Sequence, residues 1–174
     1  MTLIVLHGVE SVGKTSIARE LSAYFGGEFL PEFGRSYCEI NGTNCTAADL
    51  LEIGHWQQRN IETALRERKL VISDTDALMT AAWARMMIGR ELPELMKGRK
   101  GDLYLYCTPD TPFVEDGLRI YGHPRDRARF DGIARDVLDE AGVDWVNISG
   151  PFDRRMAQAI DHVRRFLALN GSTA

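Results

Sequence analysis

Apolar residues in this chain follow two alternating patterns. Short unbroken runs, such as Leu3-Ile4-Val5-Leu6 and Leu70-Val71-Ile72, have the length and continuity of strands buried on both faces. Between such runs, apolar positions recur every three to four residues, as Ile17, Ala18, Leu21, Tyr24 and Phe25 do, which predicts helices with one buried face. The chain reads as strands over 2–7, 28–30, 69–73, 102–107 and 143–148, and as helices over 14–25, 47–67, 77–89, 125–141 and 153–169. Alternation of this kind predicts an α/β fold with three layers, a mainly parallel five-stranded sheet covered by helices on both faces. Thr46 and Asp49 have the spacing of a capping box for the helix from 47, and Asp153 is the expected cap of the last helix. In that last helix Met156, Ala159, Ile160, Val163, Phe166 and Leu167 share a face and read as core. The helix from 77, with Leu78, Met79, Ala82, Trp83, Met86 and Met87, reads the same way.

Ligands of such sheets bind at the carboxyl ends of the strands, so the residues just after each strand are the ones to read for chemistry. After the first strand stands Gly-Val-Glu-Ser-Val-Gly-Lys-Thr at 8–15, which fits G-x-x-x-x-G-K-[ST], and a helix follows it. Gly8 and Gly13 permit the tight turn, and the amides of Glu10, Ser11, Val12, Gly13 and Ser16 are placed for phosphate oxygens at a helix N-terminus. Lys14 brings a point charge to the β- and γ-phosphates, and the Thr15 hydroxyl is a ligand for Mg²⁺. The third strand ends in Ser73-Asp74-Thr75-Asp76. Asp74 is the candidate for the magnesium shell opposite the P-loop, and also for substrate contact. Asp76 is either a substrate ligand and base or the N-cap of the next helix.

Pro-Glu-Phe-Gly-Arg at 31–35 follows the second strand. Glu32 is placed to accept a proton from a hydroxyl or to hold a ribose diol, and Phe33 and Arg35 to touch the substrate; the alternative is a surface turn with an ion pair. Residues 111–130 carry Arg119, Arg125, Arg127 and Arg129, with Gly117 and Gly122 as hinges. Phosphoryl transfer needs positive charge on the moving group and exclusion of water, which an arginine-bearing lid supplies. Arg119 and Arg127 are the candidates for that role. The alternative is a solvated helix start in which Asp126 and Asp131 pair with the arginines. Gln58 and Glu62, one helical turn apart, are candidates to face the cleft, while the four histidines show no ligand spacing.

Composition narrows the partners. With 174 residues, 44% hydrophobic and 26% charged, the chain suits a single P-loop domain over 1–174 with its lid near 111–130. A net charge of −4 without a basic stripe argues against nucleic acid. No apolar run reaches membrane-spanning length, and the N-terminus lacks the cationic region of a signal peptide. Cys38, Cys45 and Cys107 are odd in number without C-x-x-C spacing, so the expectation is a cytoplasmic protein without a disulfide framework. A homo-oligomer is compatible with the sequence. There is no N-K-x-D segment of the kind that reads guanine.

These pieces together resemble the nicotinamide riboside kinase domain of NadR-type proteins, among the P-loop kinase-like ATPases. The resemblance rests on Gly8 to Thr15, Pro31 to Arg35, Asp74-Thr75-Asp76, and Phe113-Val114-Glu115-Asp116-Gly117-Leu118-Arg119 with the arginines beyond. It implies ATP and Mg²⁺ as cofactors, Asp116 as a further substrate residue, and phosphorylation of the ribose 5′-hydroxyl of nicotinamide riboside. Proteins of this type often carry adenylyltransferase and DNA-binding regions as well; 174 residues are too few for either, so the expectation is a stand-alone kinase domain. Three positions depart from the family: Pro31 and Thr63, where some members have an aromatic residue, and Phe113, where the family has tryptophan. The alternatives are a kinase for another nucleoside or nucleotide, and a P-loop ATPase that switches a protein partner.

Overall fold

The computed structural model describes residues 1–171. Five strands, β1 (Thr2–His7), β2 (Glu28–Leu30), β3 (Leu70–Asp74), β4 (Leu103–Cys107) and β5 (Trp145–Ile148), form one parallel sheet in the order β2-β3-β1-β4-β5. The three central strands are buried along their whole length, as their unbroken apolar runs require, while β2 and β5 at the edges are partly exposed. The helices that carry the chain between strands are α1 (Lys14–Phe25), α2 (Phe33–Asn41), α3 (Ala47–Glu67), α4 (Ala77–Ile88), α5 (Pro124–Ala141) and α6 (Phe152–Leu169), with a short 3-10 helix at Pro93–Met96. Among the described residues, no helix is long and apolar enough to cross a membrane.

Helix boundaries follow from local chemistry. The expected capping box is present: Asp49 N donates to Thr46 Oγ1 at 3.4 Å and Thr46 N to Asp49 Oδ2 at 2.7 Å. Gly26, Gly89 and Gly142 end α1, α4 and α5 in the left-handed conformation. Two expectations need correction. Asp153 does not cap α6, because Pro151 holds the N-cap position and Asp153 lies in the first turn, where its charge suits the helix dipole. Residues 33–41, for which no helix is expected, form the helix α2. Its apolar face, Phe33, Tyr37 and Cys38, packs on the core but is only partly buried and spans little more than one turn, too short a repeat to announce a helix.

The β1–α1 junction depends on Gly8. Its φ is +127°, and a Cβ there would lie 2.5 Å from the backbone oxygen of Cys107 on the neighbouring strand. Both the conformation and the close approach require glycine. Gly8→Ala is therefore expected to destabilise the fold by about 2 kcal/mol or more. A urea-melt midpoint unchanged from wild type would contradict this.

Candidate functional site

One cavity of about 190 Å³ opens at the carboxyl ends of β1, β2 and β3. One wall is the P-loop, contributing Glu10 to Ser16. The facing wall comes from the start of α2 (Glu32, Gly34, Arg35) and from Gln57, Thr75, Thr80, Trp83 and Met87. The lid contributes Leu118, Arg119 and Ile120. The strand–loop–helix context predicted for residues 8–15 is thus in place, with Gly13 at φ +84° as the N-cap of α1. Gly8 is the hinge beneath the loop rather than part of the cavity wall.

Charge is concentrated between the walls. Lys14 Nζ donates to Val9 O at 2.7 Å within the loop. Thr15 Oγ1 donates to Asp74 Oδ2 at 2.5 Å, while Asp74 Oδ1 is buried without a partner. A hydroxyl beside a carboxylate oxygen with an unused lone pair suits a hard divalent cation that takes its remaining ligands from water or phosphate. Mg²⁺ fits this pair. Among the described residues no group of three or more His, Cys, Asp or Glu side chains could hold a metal alone. Burial raises the carboxyl of Asp74, against the pull of Lys14. Glu32 is pushed up to about 7, first by burial and then by the Asp74 charge, with Lys14 and Arg35 opposing.

Glu32 is held by its neighbours. Gln57, 2% exposed on α3, accepts from Phe33 N at 2.8 Å and donates to Pro31 O at 3.3 Å and to Ser73 Oγ at 3.1 Å. It thereby fixes the chain on both sides of Glu32 to the end of β3. Thr75, at φ +72°, donates its N–H to Leu6 O at 3.1 Å and turns the chain from β3 into the cavity wall.

Other expected residues are placed differently. Gln58 faces away from this cavity and donates to Glu62 at 2.9 Å; the inward residue is its neighbour Gln57. Asp76 is 1% exposed and lies off the cavity wall. Its carboxylate caps α4 through Leu78 N (3.0 Å) and accepts from the Tyr104 hydroxyl (2.5 Å). Burial raises it to about 6. Phe33 stacks on Trp56 with ring centroids 5.8 Å apart, outside the cavity. Pro31, Thr63 and Phe113 do not line the cavity either. Among the described residues, the aromatic side chain on its wall is Trp83, which with Met87 had read as core.

The lid is fastened to the P-loop through backbone groups. Ile120 N and Tyr121 N donate to the Glu10 carboxylate at 3.2 and 3.0 Å, and Val114 N to Ser11 Oγ at 2.8 Å. Asp116 accepts from Arg35 at 2.5 Å and pairs with Arg119 Nε at 3.3 Å, so it joins the lid to α2 without lining the cavity. Arg119 lines the cavity. Arg127 sits behind the loop, donating to Thr111 O at 2.7 Å and to Ser11 O at 3.4 Å, its guanidinium 5.9 Å from the Phe113 ring centroid. Asp131 pairs with Arg135 rather than with a lid arginine, and from Pro124 onward the expected lid is helix α5.

Sequence reasoning also passed over Arg155. It is 1% exposed and donates to Val12 O at 3.1 Å, Gly150 O at 2.6 Å and Thr108 O at 2.9 Å, and to Asp110. It ties α6 to the underside of the P-loop. Its signal was a charge on the apolar face of α6, four residues before Ala159 and eight before Val163.

This arrangement defines a P-loop nucleotide-binding domain of the kinase-like α/β class. The chain belongs to the AAA domain family, whose model matches residues 3–155. The trifunctional NAD biosynthesis/regulator protein NadR of Salmonella typhimurium is 27% identical over 179 residues, covering 97% of this chain and 43% of that protein. NadR of Escherichia coli K12 is 28% identical over 175 residues, covering 94% and 42%. The chain thus spans less than half the length of these curated relatives. In fold it is similar to a NadR protein crystallised in complex with NR, with a TM-score of 0.81 and 24% identity, covering 95% of this chain and 51% of that one. It is also similar to thymidylate kinase from Candida albicans, with a TM-score of 0.68 and 14% identity over 99% and 93% of the two chains.

The pH dependence of stability follows from Glu32. A carboxyl raised from 4.5 to about 7 on folding binds its proton more tightly in the native state. Its contribution is therefore full below pH 4.5 and is lost as pH rises towards 7, by at most about 1.4 kcal/mol per unit. Glu32→Gln removes this loss. The stability of that variant relative to wild type is expected to grow between pH 4.5 and 7 and to level off above. Parallel stability profiles for the two proteins would contradict the placement of Glu32.

Proposed function

We propose that this domain is an ATP-dependent kinase that phosphorylates the ribose 5′-hydroxyl of a nucleoside, with nicotinamide riboside as the favoured acceptor. The observation that carries this reading is a single cavity with the P-loop on one wall and Glu32, with its carboxyl near neutrality, on the other. The likeness to NadR over nearly the whole chain supports the choice of acceptor, as does the NR complex of a NadR protein.

In this reading the amides of residues 10–16 and the Lys14 ammonium bind the triphosphate. Thr15 and Asp74 hold Mg²⁺, which when bound neutralises charge on the β- and γ-phosphate oxygens. Glu32 orients the acceptor hydroxyl and takes its proton, a role suited to a carboxyl near working pH. Asp76, committed to its cap and to Tyr104, is left a structural part. Arg119 on the cavity wall places charge where the transferred group passes. Arg127 and Asp116 act through the lid, the first holding the Ser11 carbonyl and the second holding Arg35 and Arg119. Leu118 and Ile120 exclude water above the reacting groups. Arg35 and Gln57 complete the acceptor wall, and Trp83 offers a ring face to a planar base.

ADP release from Mg·ATP is expected to be stimulated more strongly by nicotinamide riboside than by adenosine, cytidine, uridine or thymidine, with the mononucleotide as product by mass spectrometry. Lys14→Ala should lower kcat/KM by about 100-fold or more while leaving the circular dichroism spectrum unchanged. Preference for another nucleoside would reassign the acceptor, in keeping with Pro31 and Thr63. Release indifferent to every nucleoside would replace the kinase reading with an ATPase switch.

A further inference from the structure

Three cysteines are free among the described residues, and two of them meet. Cys38 on α2 and Cys45 just before α3 have their sulfurs 3.8 Å apart. Both line the cavity, and Cys38 lies close enough to Glu32 to feel its charge. A disulfide holds its sulfurs at about 2.05 Å, so closure asks each sulfur to move by roughly 1 Å. The intervening segment allows this. Gly42 sits at φ +82° with open space around its Cα, and α2 buries no residue fully. Cys107, by contrast, is sealed inside β4.

We propose that Cys38 and Cys45 form an oxidation-sensitive dithiol, and that its conversion to a disulfide remodels the acceptor side of the cavity. The first thiol is oxidised by a peroxide to a sulfenic acid with release of one water. The second sulfur then attacks the first, the S–S bond forms, and a second water leaves with the hydroxyl and the remaining thiol proton. A thiol reductant reverses the bond by exchange. Closure draws the end of α2 towards Cys45 and shifts Gly34 and Arg35, which lie on the same helix and line the same wall. The P-loop wall lies on the loop before α1 and on that helix's first turn, apart from α2, and is not displaced.

The groups facing Cys38 set the pace. Burial, the neighbouring Cys45 sulfur, and the Glu32 and Asp49 carboxylates together push its thiol up to about 12, and burial raises Cys45. The pair is therefore a slow reactor at neutral pH, and its oxidation accelerates with rising pH.

The test treats the full reduced chain with hydrogen peroxide, blocks residual thiols, and follows intact mass and peptide maps beside steady-state kinetics. The expected product has lost about 2 Da, the two thiol hydrogens, in a cross-linked peptide joining Cys38 to Cys45. Its formation is faster at pH 9 than at pH 7. With it the KM for the nucleoside acceptor changes by about fivefold or more, and by a larger factor than the Kd for ATP. Dithiothreitol reverses both changes, and Cys45→Ser shows neither. Absence of the cross-linked peptide would overturn the proposal, as would a cross-link that leaves the acceptor KM unchanged. The kinetic arm rests on the kinase reading. The mass shift requires no turnover, so a failure of that reading is seen separately.

Discussion

The register between β1 and β3 sets the geometry of the whole site. Leu6 lies opposite Asp74 in a parallel pairing of two fully buried strands, and Thr75 N–H continues the ladder to Leu6 O. Such a register cannot slip by one residue, because every side chain would move to the opposite face. It delivers Asp74 to Thr15 at the instant the chain leaves β1 for the P-loop. Gly8 completes the constraint by letting the turn pass against the Cys107 carbonyl on the other side of β1. The sheet therefore does not merely support the loop; it fixes which carboxylate the loop faces.

The consequence is electrostatic. Asp74 and Glu32 share a partly desolvated site with Lys14, and burial disfavours charge on both. Asp74 Oδ1 has no hydrogen-bond partner among the described residues, and burial followed by the Asp74 charge pushes Glu32 up to about 7. A site of this kind is suited to a cation, a polyanion and a hydroxyl arriving together. The lid belongs to the same unit. It is bound to the P-loop through Glu10 and Ser11 and to α2 through Asp116 and Arg35, so nucleotide and acceptor walls are joined across the top of the cavity.

The fold and the phosphate-binding half of the site were legible in the sequence because each signal was local. A buried strand, a glycine loop and a one-faced helix lie in succession, and the third strand ends in its aspartates. In the acceptor half Glu32 and Arg35 were legible from their place after the second strand, while the rest of that wall was missed. Gln57 rather than Gln58 faces inward, since Ile53, Gln57, Ile61 and Leu65 form the buried stripe of α3; that spacing was readable. Arg155 was visible in the same way, as a charge on an apolar stripe. Trp83 was not, because α4 is buried on nearly every side and periodicity cannot separate cavity wall from core there. The meeting of Cys38 with Cys45 depends on α2, whose short and only partly buried apolar face did not announce a helix.

A kinase and an ATPase switch differ most directly in where the γ-phosphate goes. The decisive measurement is phosphorus NMR of a reaction containing Mg·ATP, nicotinamide riboside and the domain. The account predicts a new phosphomonoester resonance coupled to the two 5′ protons of the ribose, growing in step with ADP. Growth of inorganic phosphate alone, at a rate unchanged by the nucleoside, would contradict it.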